Sequence, residues 1–268
     1  MSTPHEDETP SVKAYESTPA SPANFADSKL VEVPEETATP EDVITIALHR
    51  FAIQGFQETK LDAISKESGM SKRMIHYHFG DKRGLYHRTL ATALSNLQPP
   101  TEVHNRSFTV PVEGVRRFVD AMFYRMVEEP ESLRLVLRES LEPVLDLVEM
   151  SAISDASELT LHLERLLLMG QDVGAFRPGI STHDLLALIL ALGSYRVTGH
   201  DLTVNLFDID LQSRENTEGM RRFVIDAVLA FLTSNISDSG YSSYLVQRAP
   251  TPSPISNDEV YGFEKDIY

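Results

Sequence analysis

The sequence predicts an all-α protein in which a small N-terminal helical domain precedes a larger C-terminal helical domain. Apolar residues recur at spacings of three and four in most segments between residues 40 and 236, a pattern that indicates helices with one buried face. Glycine or proline separates many of these segments, and both residue types commonly stand where helices end. No convincing run of alternating apolar and polar residues is present. We therefore expect about nine helices and no sheet.

Two helices are predicted before residue 70. The first has five apolar residues on one face and stops at Gly55; these residues are Ile44, Ala47, Leu48, Phe51 and Ala52. Thr59 has a side chain suited to a helix N-cap. It precedes a short helix that holds Leu61 and Ile64 and ends at Gly69, a residue type favoured just beyond helix ends.

Two more helices complete the first predicted domain, which covers residues 40–97. Ser71 is placed to cap a third helix that runs through Phe79, and Asp81 to cap a fourth that runs to about Leu97. Prolines 99 and 100 follow, and proline removes the backbone donor that a continuing helix would need.

Five further helices are predicted in the second domain, residues 98–236. Pro111 stands at a helix start, where proline is tolerated. Ser181 and Asp184 have the spacing of a capping box before a helix that is apolar on nearly all sides. The apolar stripes of these helices extend from Val115 to Met126, from Leu133 to Leu141, from Leu159 to Met169, from Leu185 to about Thr198 and from Met220 to Phe231.

The two ends of the chain have the composition of disordered segments. Residues 1–39 are rich in Pro, Ser, Thr and Glu and carry eight acids against two lysines, and residues 237–268 include three alternating prolines. Segments of this kind bury too little apolar surface to offset their conformational entropy. We therefore predict a disordered acidic tail at residues 1–39 and a flexible C-terminal tail at residues 237–268.

Charge is distributed unevenly along the chain. The formal net charge is −16, yet residues 60–90 carry seven bases against three acids. A phosphate backbone responds mainly to charges within about 8 Å at physiological salt. The acidic total therefore does not exclude nucleic-acid binding by this segment.

The stretch GMSKRMIHYHFGDK, residues 69–82, carries the features of a DNA-reading element. Two short helices joined by a tight turn form a helix-turn-helix, whose second helix enters the major groove. In the first turn of that helix, Lys72 and Arg73 could donate to guanine and Met74 could contact a thymine methyl group. The remaining predicted contacts, chiefly with phosphate oxygens and sugar edges, are those of Ser71, His76, Tyr77, His78 and Lys82.

The stretch FAIQGFQETKLDAISKESGMSKRMIHYHFGDKRGLYHRTL resembles the DNA-binding region of the TetR family of bacterial transcriptional regulators. The resemblance covers about residues 41–97 and includes Gly-Phe, a threonine cap, Gly-Met-Ser and a His-Phe pair in the family's order. It implies that Thr59, Lys60, His76 and Lys82 bind phosphates, although the family usually has tyrosine where this chain has His76. It also implies an all-helical C-terminal domain that binds an effector and dimerises, and a bacterial origin.

Candidate effector-binding residues interrupt or adjoin the apolar stripes of the second domain. Ser140 and His162 are polar residues on such stripes, and the methionines nearby are adaptable apolar groups that suit a pocket wall. The full set is Met122, Phe123, Met126, Ser140, His162, Met169 and Tyr195. The methionines and Phe123 are equally compatible with an ordinary core, a histidine on such a stripe is more often a core residue, and Tyr195 could instead face a partner subunit.

The last two predicted helices, about 181–199 and 217–235, have more apolar surface than one small bundle needs. We expect them to form an isologous interface in a homodimer. A homodimer would present two recognition helices to a roughly palindromic operator. The predicted function is thus that of a cytoplasmic DNA-binding transcriptional regulator, a repressor that a small-molecule effector releases from its operator.

Two other function classes stay open at this point. One is a helical module that binds small molecules or proteins and no longer grips DNA, for which the acidic tail gives some support. The other is an all-α enzyme, but no nucleophile elbow, phosphate loop or paired-carboxylate pattern is present. Cysteine is absent, and His76 and His78 are two apart, so they point to different helix faces. We therefore expect no metal, no cofactor and no catalytic site. The longest apolar run has eight residues, well short of the roughly 20 that a membrane span needs.

Overall fold

The computed structural model of the protein describes residues 38–100, 110–146, 148–150, 157–237 and 240–246. Its regular structure over these ranges is helical throughout. The main helices in these ranges are α1 Pro40–Glu58, α2 Leu61–Ser68, α3 Lys72–Phe79, α4 Lys82–Asn96, α5 Pro111–Glu128, α6 Pro130–Leu141, α7 Ser157–Asp172, α8 Thr182–Thr198, α9 His200–Phe207 and α10 Arg214–Thr233. The predicted all-α fold class is confirmed. Most of the predicted tails, residues 1–37 and 247–268, lie outside the described ranges.

Helices α1 to α4 enclose an N-terminal cluster of buried apolar residues, which also takes Leu135 and Leu145 from farther along the chain. Three aromatic rings lie at its centre: Tyr86 meets Phe51 and Phe56 edge to face, with ring centroids 5.0 and 5.1 Å apart. Edge-to-face pairs of this kind stabilise a core beyond the area that they bury. The cluster gives the short helices α2 and α3 a rigid support.

The chain turns sharply at Gly55, where φ is +80° and α1 loses its helical geometry. The helix was predicted to end at this glycine; it is kinked there instead, and helical structure continues to Glu58. The predicted N-cap role of Thr59 is wrong, since α2 has Lys60 at its N-cap without a side-chain cap bond. Thr59 is fully buried and its hydroxyl donates to the Gly55 carbonyl oxygen at 2.8 Å. The threonine hydroxyl therefore bonds the backbone at the kink and does not cap α2.

A second cluster, the C-terminal cluster, is formed by buried apolar residues of α5, α7, α8 and α10. Phe118, Phe123, Leu163, Leu185 and Val228 are all less than 2 % exposed within it. Helix α8 begins with the predicted capping box of Ser181 and Asp184, and both of its reciprocal bonds are present. The same carboxylate has further partners from the C-terminal segment, described below.

Helix α6 joins the two clusters, and here the sequence interpretation needs correction. The predicted face included Ser140 and Leu141, but Ser140 is exposed and Leu141 is 82 % exposed. The buried residues are Ser132, Leu133, Leu135 and Glu139. Glu139, which lies off the predicted stripe, is buried, and three donors satisfy its carboxylate.

Two further elements differ from the sequence prediction. Helix α9, between the last two predicted helices, was not expected, because its apolar residues do not follow one helical stripe. Within residues 240–246, which fall in the predicted C-terminal tail, most side chains are exposed, but Tyr244 and Leu245 hydrogen-bond to the rest of the protein. The Tyr244 and Leu245 backbone N–H groups donate to Asp184 at 3.1 and 2.7 Å, and Arg177 donates to the Tyr244 hydroxyl at 3.1 Å.

Asp184 therefore supports both the start of α8 and the returning C-terminal segment. The stability that its carboxylate contributes is expected to depend on pH. Burial tends to raise the pKa of Asp184, but hydrogen bonds from the N–H groups of Ser181, Tyr244 and Leu245 outweigh it and leave the pKa below its ordinary value of 3.8. A carboxyl whose pKa is depressed on folding contributes stability above its unfolded-state pKa. That contribution is lost as the pH falls through the lower folded-state value.

Asp184→Ala is expected to reduce the free energy of unfolding by about 1–2 kcal/mol near neutral pH, as for loss of a helix cap. The difference from the wild type should shrink as the pH falls below about 4, because protonated Asp184 also loses its bonds. Urea unfolding followed by circular dichroism, at pH 6 and at stepwise lower pH, measures the free energy of unfolding of both proteins. Asp172→Ala, at an exposed position of α7, is the matched control. An Asp184→Ala penalty that does not change with pH would contradict the role of the charged carboxylate.

Candidate nucleic-acid interface

Helices α2 and α3 are joined by a three-residue turn whose geometry depends on Gly69. This glycine has φ +76° and its N–H group donates to the Ser65 carbonyl oxygen at 3.1 Å. The left-handed conformation is costly for residues with a side chain, so glycine suits this position. The Ser65 hydroxyl donates to the Met70 carbonyl at 2.7 Å, and Met70 itself is buried. The turn thus fixes the direction in which α3 leaves α2, as in a helix-turn-helix.

One face of α3 is anchored in the N-terminal cluster. Ile75 is 1 % exposed and Phe79 packs against the same cluster. Ser71 caps the helix as predicted, with its hydroxyl accepting from the Met74 N–H at 3.3 Å. The opposite face is exposed, and it consists of Lys72, Arg73, His76, Tyr77 and His78. A rigid helix with one buried side and one polar, cationic and aromatic side is what major-groove docking requires.

The basic side chains around α3 differ in how they are held. Arg73 and Lys60 are exposed and make no ion pair or hydrogen bond through their side chains within the described ranges. Lys72 is paired with Asp62 of α2. The Lys82 ammonium donates to the Gln57 carbonyl at 3.1 Å and lies 4.5 Å from the centre of the Phe56 ring. Burial lowers the pKa of Lys82, and the nearby Glu58 charge opposes that shift.

His76 has one ring nitrogen committed within the protein. Its Nδ1 lies 2.6 Å from the Gly80 carbonyl oxygen, and because a carbonyl only accepts, Nδ1 must carry the proton. Neutral His76 would then offer an acceptor at Nε2, whereas the protonated ring would offer a second donor. Tyr77 is 79 % exposed and meets the ring of His78 edge to face at 5.2 Å. These three side chains follow the cationic first turn along the outer face of α3.

Two residues of the predicted interface do not belong to this exposed face. Thr59 is fully buried, so its side chain cannot reach a phosphate. Met74 is half-buried and packs against the N-terminal cluster, so the predicted contact with a thymine methyl group is not supported. Neither side chain points outward, because positions 59 and 74 lie on the inner side of the helix-turn-helix.

The predicted effector-binding residues do not form one site. Met122, Phe123 and Met126 are buried in the C-terminal cluster, as is His162, whose ring stacks on Phe118 with centroids 6.1 Å apart. Ser140 is exposed on α6, and its hydroxyl donates to the Val136 carbonyl within the helix. Met169 and Tyr195 are each 41 % exposed.

Two cavities lie elsewhere, and none of the predicted effector-binding residues lines either of them. One has a volume of about 440 Å³ and lies where α1, α4 and α6 meet, beside Phe56, Tyr86 and Arg138. The other has a volume of about 340 Å³ and lies beside Leu167 of α7 and Ile180. Both are lined by a mixture of polar and apolar side chains.

Sequence reasoning missed the polar contacts that tie α4 and α1 to α6 and its continuation. Arg138 donates to the Ala52 and Ile53 carbonyls at 3.2 and 3.0 Å. Arg83 donates two hydrogen bonds to Glu149, and these bonds, with the Asp146 N–H, lower the pKa of Glu149 to about 2. For the buried Glu139 of the same helix, the sequence held only a weak signal. This residue lies four positions after Leu135, on the buried face of α6.

Two family models match the chain in succession. The model described as bacterial regulatory proteins, tetR family, matches residues 43–89. The model described as tetracyclin repressor-like, C-terminal domain, matches residues 111–228. The first includes the helix-turn-helix and the second covers most of the C-terminal cluster. Together they match more than half of the chain.

Individual relatives and solved structures point the same way. The HTH-type transcriptional repressor NicS of Pseudomonas putida is 23 % identical over 201 residues, which are 74 % of this chain and 94 % of the relative. The HTH-type transcriptional regulator RutR of Escherichia coli K12 is 26 % identical over 105 residues, 39 % of this chain and 49 % of the relative. The regulator PfmR of Thermus thermophilus has a TM-score of 0.51 at 19 % identity and covers 73 % of this chain and 98 % of its own. The fatty acid degradation regulator FadR of Bacillus halodurans has a TM-score of 0.54 at 14 % identity, and the match covers 72 % of this chain and 100 % of the FadR chain. At these identities the solved structures show that the fold is shared.

Proposed function

The chain belongs to the TetR family of bacterial regulatory proteins, and on that premise we propose that it acts as a homodimeric repressor. In this proposal, two copies of α3 bind the half-sites of a palindromic operator, and a small-molecule effector releases the dimer from it. DNA-binding transcriptional regulation follows from the family. The repressor role, the operator symmetry and the effector are our inference. The observation that carries the proposal is the exposed cationic and aromatic face of α3 above its buried apolar face.

We propose different tasks for the exposed residues of this face. Arg73, which has no internal ion pair in the described ranges, reads a base edge in the major groove. Lys60 and Lys82 bind phosphates, as do His76 and the polar groups beside it. Ser71 and Lys72 stand at the positive N-terminal end of α3, where phosphate is also favoured. Thr59 and Met74 act as structural supports and contact no DNA.

The proposed dimer interface uses α8 and α10. Each helix buries one face in the C-terminal cluster and still exposes large apolar residues, namely Leu190 and Tyr195 on α8 and Phe223 on α10. Isologous pairing of these faces would cover them in both protomers. The dimer is what would set the distance between the two recognition helices.

We propose that the effector enters the C-terminal cluster near Met122, Met126 and His162. Methionine side chains can repack around a ligand, and His162 is a polar group in an otherwise apolar environment. Helix α6 would carry the response, because it contributes Leu133 to this cluster and Leu135 to the N-terminal cluster. The effector must bind the non-DNA-binding arrangement more tightly, since only differential affinity shifts the population. The place of action would be the bacterial cytoplasm, at the nucleoid.

Binding of the purified protein to the DNA upstream of its own gene tests the proposal. We expect tight binding that weakens steeply with salt, because lysine–phosphate contacts release counterions. Lys60→Ala and Lys82→Ala should each weaken binding to operator and unrelated DNA alike, and each should reduce the salt slope by about one. Fluorescence anisotropy at several salt concentrations measures both quantities. Arg165→Ala on α7, which removes an equal charge at an exposed position outside the helix-turn-helix, is the control.

Absence of binding at low salt would overturn the DNA-binding role. The test should include a variant lacking residues 1–39, because this acidic segment could shield α3 by charge. If both forms ignore duplex DNA, the alternative is favoured, namely a helical module that binds small molecules or protein partners.

A further inference from the structure

Helix α9 exposes most of its large apolar side chains, and its one buried residue is polar. Its most buried residue is Thr203, at 5 % exposure, whose hydroxyl donates to the His200 carbonyl at 2.9 Å. Leu202, Leu206 and Phe207 are 55 %, 63 % and 63 % exposed. Leu202 and Leu206 are four residues apart and therefore lie on the same face of the helix. A helix that turns leucines outward and a threonine inward is costly for an isolated chain in water.

This exposure belongs to a well-anchored segment. Asp208 adopts the left-handed conformation with φ +55°, and its N–H group bonds back to α9. The Asn216 amide donates to the Asp210 carbonyl at 2.7 Å, and Leu211 is buried. The loop after α9 is thus tied to the first turn of α10, and it holds the apolar side chains in the exposed position.

A standard interface buries about 800 Å² per partner. The large, exposed apolar residues of α8 and α10 are Leu190, Tyr195 and Phe223, which are 44 %, 41 % and 55 % exposed. Helix α9 and the residues after it add four more, Leu202, Leu206, Phe207 and Ile209, at 55 %, 63 %, 63 % and 43 % exposure. They more than double the number of large, exposed apolar side chains available to the proposed interface.

We propose that α9, with the following residues up to Ile209, is a third element of the homodimer interface and is covered by a second copy of this chain. This inference rests on the proposed homodimer. A single residue, Gly199, separates α8 from α9, so the new surface continues the one proposed on α8. Asp201, Asp208 and Asp210 are neighbours of these residues in sequence and are exposed, and acids near the surface disfavour an anionic occupant such as nucleic acid or a charged lipid surface.

The test compares dimer dissociation constants by sedimentation equilibrium for four full-length proteins. These are the wild type, Leu202→Asp with Leu206→Asp, Leu190→Asp on α8, and Leu168→Asp on α7. Leu168 is 53 % exposed and serves as the matched control outside the proposed interface. We expect the α9 variant to raise the dissociation constant at least 100-fold, Leu190→Asp to do the same, and Leu168→Asp to leave it unchanged. The positions are exposed, so helical content by circular dichroism should be the same in all four.

A second readout uses the absence of cysteine from the chain. A single cysteine at Leu206→Cys should react slowly with a maleimide at concentrations where the protein is dimeric, and rapidly on dilution. Leu168→Cys should react at one rate throughout. If Leu190→Asp breaks the dimer while the α9 variant stays dimeric and Leu206→Cys is unprotected, this inference is overturned and the proposed dimer stands. A wild type that is monomeric at every concentration overturns both.

Discussion

Replacement of Glu139 by alanine is expected to reduce the free energy of unfolding by about 3–5 kcal/mol, since it strands several buried donors at once. The carboxyl group is only 5 % exposed. It accepts from the Tyr86 hydroxyl at 2.7 Å and from the Val144 and Leu145 N–H groups at 3.0 and 2.8 Å. Alanine would leave all three donors buried or half-buried without this partner.

Tyr86 provides the partner test for this prediction. Burial raises the pKa of Tyr86, and the hydrogen bond to Glu139 raises it further, so the phenol stays protonated and donates at any ordinary pH. Tyr86→Phe removes one donor and should cost about 1–2 kcal/mol. In a double-mutant cycle the two losses should be less than additive, because the variants share one hydrogen bond.

Urea unfolding of the single and double variants measures these differences. Glu142→Ala is the matched control, since this acid follows the same helix, is exposed and lies 4.0 Å from Arg138. We expect that control to change stability by no more than about 0.5 kcal/mol. Additive losses from Glu139→Ala and Tyr86→Phe would show that the contact does not stabilise the junction.

The Glu139 contact matters for function because it links α4 to the end of α6. Tyr86 belongs to α4, which follows the recognition helix directly, and Leu145 lies in the N-terminal cluster beyond α6. Together with the Arg138 bonds to the Ala52 and Ile53 carbonyls of α1, this contact ties α6 to two helices of the N-terminal cluster. Under the proposed function, we expect a shift of α6 to be passed through these bonds to the helix-turn-helix.

The helices and the helix-turn-helix could be predicted because local signals agree with tertiary packing there. Ser71, Asp81 and the Ser181–Asp184 pair cap helices where the sequence placed them. Gly55 and Gly69 adopt positive φ at the predicted ends. Each of these signals acts over three or four residues, so a single sequence contains the information.

The errors have two causes. At Thr59 the cause is local: the side chain is suited to a cap, but its hydroxyl donates instead to the Gly55 carbonyl four residues earlier. Elsewhere a distant residue decides the outcome. Glu139 reads as a surface acid, and only the fold brings Tyr86 to it across 53 positions of sequence. The apolar residues of α9 do not all lie on one helical face, so the pattern did not predict a helix. Their burial would depend on another copy of the chain.

The second large expected effect is on operator binding, and it concerns Arg73, which we propose reads a base while neighbouring basic residues bind phosphates. Arg73→Ala is expected to weaken operator binding by about 1–3 kcal/mol and to relax specificity at one base pair, because a guanidinium that bonds guanine O6 and N7 is lost. Its exposure in the first turn of α3, with no ion pair in the described ranges, leaves the whole fork available to a base. Lys72 beside it is already paired with Asp62.

Arg73→Lys separates base reading from charge. Lysine keeps the positive charge but not the planar two-donor fork. Competition binding against a set of operators, each changed at one base pair, should therefore show for Arg73→Lys most of the specificity loss of Arg73→Ala and nearly the salt slope of the wild type. Lys60→Ala, in the same assay, should lower every affinity by the same factor. Should Arg73→Lys instead retain full discrimination between operators, Arg73 would be a phosphate contact, and sequence reading would have to come from the other exposed side chains of α3, among them Tyr77 and His78.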